Sequence, residues 1–144
     1  MNRMLGLPVS VIVVLAALAV PRVVTHDLDI FPEGSFVNLL LVFVPPAVWL
    51  IVVLWRRVPH PFLTLTVIGI AYGVMLALGH QLLWGARWDG DPPRLGGNLE
   101  GVLRPGLESL VFRFSAFFSS IVTGTVVGAI IGFAASVVER LRGT

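Results

Sequence analysis

Four apolar runs of about 20 residues or more dominate this chain, each long enough to cross a hydrocarbon layer of roughly 30 Å as a helix. In lipid every backbone polar group has to pair within the protein, so four such runs restrict the chain to one architecture, an all-α integral membrane four-helix bundle. The runs extend from Leu5 to Val24, Phe36 to Trp55, Phe62 to Trp84 and Leu110 to Val138. The composition agrees: only 12% of the 144 residues are charged, against roughly 25% in an ordinary soluble domain. The longest stretch outside the runs, Gly85 to Ser109, is too short to fold alone, so the chain reads as a single membrane domain over residues 1–144.

Cysteine is absent, which excludes disulfides, thiol redox chemistry and thiolate metal sites. All ten basic residues are arginine and the net charge is only +2, so there is no basic patch and no nucleic-acid partner is expected. Arginine in place of lysine fits a GC-rich bacterial coding bias, and with the four spans it suggests a bacterial inner-membrane protein.

Arginine density sets the orientation. Arg3, Arg56, Arg57, Arg140 and Arg142 crowd the short flanks on one side, whereas the other side spreads its arginines over long segments that also carry seven of the eight acidic residues. The first side is therefore expected in the cytoplasm, with both termini. Ala17-Leu18-Ala19 fits a signal-peptide cleavage pattern, but the apolar run continues past it, which favours an uncleaved helix. Val58-Pro59-His60-Pro61 reads as a tight cytoplasmic turn between the second and third spans. The Gly/Pro-rich segment from Gly85 to Ser109 reads as an outer loop of turns.

Ser120, Gly124, Gly128, Gly132 and Ser136 recur at every fourth position of the fourth span, the pattern of a glycine zipper. Residues so spaced line a groove where a second backbone can approach closely. On the third span Thr66, Gly69, Gly73, Ala77 and His80 fall within an arc of about 80°, which makes that stripe the first expected partner; the alternative is self-association of the zipper face in an assembly, a channel or a symmetric oligomer. Pro45 and Pro46 remove two N–H donors near the middle of the second span and predict a kink.

Arg22, Asn38, His80, Gln81 and Arg113 all lie near the outer ends of the spans, and they form the expected ligand-binding set. Arg113 is expected on the zipper face beside His80, paired to Glu108, Asp27, Asp29, Glu33 or Glu100, with an anion as the guest. His26, Asp27, Asp29 and Glu33 include metal-ligand types, but no regular spacing makes them converge, so a solvated loop is expected there and no metal or cofactor. No GxSxG or HExxH motif positions a nucleophile or a metal, and no catalytic residue is assigned. The function expected is a non-enzymatic accessory or assembly subunit, or a small oligomer. The alternative is a transporter or channel component with an outward-facing polar pocket, and a membrane enzyme ranks third. The partners expected are membrane lipid, a second copy of the chain or a larger membrane complex.

Overall fold

The computed structural model describes residues 2–142, with side chains from Met4 onward. The side chain of Arg3, one of the orienting arginines, lies outside that set. All regular structure among the described residues is helical: α1 (Asn2–Leu5), α2 (Val9–Ala17), α3 (Val20–Asp27), α4 (Phe36–Trp55), α5 (Pro61–Leu82), α6 (Trp84–Trp88) and α7 (Pro105–Arg142), with a 3-10 turn at Gly97–Leu99. Four segments, Val9–Asp27, α4, α5 and α7, are long and apolar enough to cross a membrane. Their outward faces carry Phe36, Phe43, Ile51, Phe118, Ile130 and Phe133, all well exposed. Such a continuous apolar surface suits lipid and would aggregate in water.

The first span differs from the single helix expected over Leu5 to Val24. It breaks twice, at Gly6, which takes a positive φ of 64°, and between Ala17 and Val20. Pro21 has no N–H to offer the Ala17 carbonyl one turn back, which ends α2 there. At this break Trp49, fully buried on α4, donates its indole N–H to the Leu15 carbonyl at 2.6 Å. That carbonyl also accepts the Leu18 N–H at 3.3 Å, so the indole adds a second donor at the break as well as filling the core. At the other end of the span Thr64 of α5 donates to the Leu5 carbonyl at 2.8 Å and holds α1 in place.

Helix α5 is the centre of the bundle: it touches α2, α3 and α4, and packs most extensively along α7. Glycines set the α5–α7 spacing. A Cβ at Gly69 would overlap the Gly124 carbonyl and come within 2.7 Å of Gly128 Cα, and one at Gly73 would lie 2.9 Å from Ile121 Cα. Gly132 meets the Phe62 backbone in the same way. The small-residue faces of the third and fourth spans thus meet each other inside this chain. Ser120 and Ser136 donate to carbonyls of their own helix, Ala116 and Gly132, so no polar group is stranded in the contact.

Helix α4 runs through Pro45 and Pro46 without interruption. The prolines leave the Leu41 and Val42 carbonyls without their helical N–H partners. The α4–α5 turn spans residues 56–60 and starts with Arg57 at φ 48°, where the Val58 N–H returns to the Val53 carbonyl. Arg57 and Arg142 line one surface depression, so the arginines after α4 and at the end of α7 gather at one end of the bundle. Helix α7 has 38 residues, about 57 Å at 1.5 Å per residue, and overruns the expected span at both ends. The expected loop of turns after Gly85 is also part helical, because α6 follows α5 after a single bend at Leu83.

Candidate functional site

At the end of the bundle opposite Arg57, α3 brings a carboxylate into the interior. Its sequence would read as solvated loop from Thr25 onward, but helix continues to Asp27 and closes with Asp29 at φ 50°. The Ile30 N–H then returns to the Thr25 carbonyl and the Asp29 N–H to His26, the two bonds of a Schellman cap. Gly79 on α5 lets α3 close in, since a Cβ there would lie 2.8 Å from Val23. One turn beyond Val23, Asp27 is carried to the next residue of α5, His80. Its side chain has no solvent exposure, which corrects the expectation of a solvated acid.

Asp27 holds two partners. His80 Nδ1 lies 2.5 Å from one carboxylate oxygen, and Arg87 of α6 donates to the other at 2.6 Å. A carboxylate can only accept, so His80 carries its proton on Nδ1, and the 3.4 Å approach of Arg87 to that nitrogen brings two donors together rather than forming a bond. Arg87 also stacks on Trp88, its guanidinium 5.1 Å from the ring centroid.

These groups border a cavity of about 460 Å³ between α3, α5, α6 and the first half of α7. Arg22, Trp88 and Ser115 also line it. Two of the lining residues carry a buried N–H with no acceptor, Arg22 at Nε and Trp88 at Nε1. Arg22 has no carboxylate within ion-pair distance among the described residues, either. With Arg87 offset by Asp27 and histidine counted neutral, the cavity keeps the charge of Arg22. The buried side-chain groups left unpaired among its lining residues are both donors. Ser119 and Ser120 donate their hydroxyls to the Ala116 carbonyl, an arrangement that makes neither of them an activated nucleophile.

The expected site residues divide. Arg22 and His80 share the cavity. Arg113 does not join them: it approaches Gln81 Oε1 at 3.4 Å and stacks on Trp84, 5.0 Å from the ring centroid, while Gln81 donates to the Arg113 carbonyl at 3.0 Å. No carboxylate lies within ion-pair distance of Arg113 among the described residues, so the expected acid partner is replaced by an amide and a ring. The reason is angular. His80 and Gln81 project about 100° apart on α5, and Arg113 takes the Gln81 flank. Asn38 lies apart from both, closing the α3–α4 loop through bonds with Ser35 and the Glu33 carbonyl. His26 faces Glu33 at 3.6 Å at the cavity's edge.

Arg87 and Trp88 were outside the expected set. They follow the third apolar run within a segment rich in Gly and Pro, and a five-residue helix leaves no periodic signal. The one local clue was Gly79 beside His80, a small residue where a neighbouring helix could press in. Comparison with protein-family models, curated proteins and solved structures finds no match.

Proposed function

We propose that this chain is an integral protein of the cell membrane that binds an anionic ligand in the Arg22–Arg87 crevice, as a binding or transport component. The observation that carries the reading is a pair of buried, unpaired N–H donors, Arg22 Nε and Trp88 Nε1, on two residues that line one cavity with a net positive charge. Asp27 serves as the fixed acid that orients His80 and Arg87, and the ligand supplies the remaining acceptor. The small-residue faces that suggested an assembly subunit or oligomer are used between α5 and α7, which lowers the support for that role. No catalytic residue, metal or cofactor forms part of the proposal.

Inorganic phosphate, titrated at constant ionic strength into protein in a neutral detergent, is expected to raise the melting temperature along a saturating curve, because a ligand that binds only the folded state stabilises it. Arg22→Gln is expected to abolish that rise, and Arg94→Gln, in the exposed loop, to preserve it. A flat response in the unaltered protein would count against the reading.

The proposed orientation puts the arginine-rich end in the cytoplasm and the crevice outside. Single cysteines at Arg57 and Arg142 are then expected to resist an impermeant thiol reagent in intact cells, while one at Gly97 reacts. The chain has no native cysteine to confuse the result. Labelling of the first two positions would invert the orientation.

A further inference from the structure

A second cavity of about 220 Å³ lies deeper in the bundle, between the α2–α3 break, the proline segment of α4, and the inner faces of α5 and α7. It shares two lining residues, Arg22 and Thr123, with the first cavity. Apart from Tyr72, the rest of its lining is apolar: Ala19, Leu41, Val42, Pro46, Trp49 and Val127. The upper cavity falls within the range of about 300–1,000 Å³ typical of small-molecule sites, and the lower one alone falls short of it. The lower cavity therefore makes sense as an extension of the upper one.

A cationic, donor-rich chamber opening past a guanidinium onto an apolar slot matches a ligand with a charged head and a greasy end. We infer that the ligand is a single-chain anionic amphiphile, its head between Arg22 and Arg87 and its chain running past Thr123 toward Leu41, Val42 and Val127. This rests on the anion-binding reading above and specifies its guest. The head is a carboxylate or a phosphate monoester, both of which offer the acceptor oxygens that Arg22 Nε and Trp88 Nε1 lack.

The test uses two eight-carbon probes with a diazirine near the chain terminus, one headed by carboxylate and one by phosphate, photolysed with the purified protein and mapped by mass spectrometry. Cross-links are expected at Leu41, Val42 or Val127, and the probe that labels more strongly identifies the head. Methyl, butyl and hexyl phosphate are expected to compete with potency rising about fourfold per added methylene, the gain of burying one such group. Octyl glucoside, with the same chain and no charge, is expected to compete poorly. Potency that ignores chain length, or labels confined to the outward residues Phe43, Val126 and Ile130, would overturn the amphiphile while leaving stabilisation by inorganic phosphate intact. Equal competition by octyl glucoside, together with no stabilisation by phosphate, would remove the anion site as well.

Discussion

Asp27→Ala is expected to destabilise the protein by about 3–5 kcal/mol, the usual cost of removing one partner from a buried ion pair. The acid has no solvent exposure and is the shared acceptor for His80 at 2.5 Å and Arg87 at 2.6 Å. Alanine leaves the His80 and Arg87 donors facing each other, with the Arg22 guanidinium lining the same cavity. In thermal unfolding the drop should be on the order of 10 °C for a chain of this size. Asp91→Ala, which removes an exposed acid 3.8 Å from an exposed Arg94, is expected to change nothing measurable. A double-mutant cycle on Asp27 and Arg87 separates the pair from its surroundings: the combined loss should fall well short of the sum of the single losses. Additive losses would mean that the two side chains do not meet.

Gly124→Leu is the second large effect expected, with a loss of about 3 kcal/mol or more from overpacking. Even the first atom of the new side chain has no room, since a Cβ at Gly124 would lie 2.6 Å from Gly73 Cα. What it meets is backbone, which cannot swing aside as a flexible side chain can, so α5 and α7 would have to separate along their length. Gly85→Leu adds the same side chain where nothing lies within 4 Å and is expected to be tolerated. Melting temperatures in detergent compare the two. Equal stability of the two variants would mean that the helices are not in backbone contact.

The helical architecture was legible because length and hydropathy decide it: the second apolar run, Phe36 to Trp55, coincides with α4. The α5–α7 contact was legible too, because a glycine every fourth residue has no side chain to offer and so identifies the face a neighbour can reach. The first span was harder. One continuous helix was expected from Leu5 to Val24, whereas the missing N–H of Pro21 ends α2 at Ala17 and a new helix continues to Asp27. Angles alone also misplaced Arg113. A long side chain can settle on either flank of a contact, and the Trp84 ring and the Gln81 amide hold Arg113 away from His80. Arg87 was invisible for a different reason: only the bend at Leu83 and the approach of α3 over Gly79 bring it to Asp27, and both are tertiary events.

The close fit of α5 and α7 has a consequence for the order of assembly. A chain made from its N-terminus presents α5 before α7, so the groove of Gly69 and Gly73 waits open until the last helix is complete. The same late helix supplies the wall of the crevice from Phe112 to Thr123. The crevice is therefore finished only when α7 seats against α5, and any guest that fills it acts as a latch on that final step.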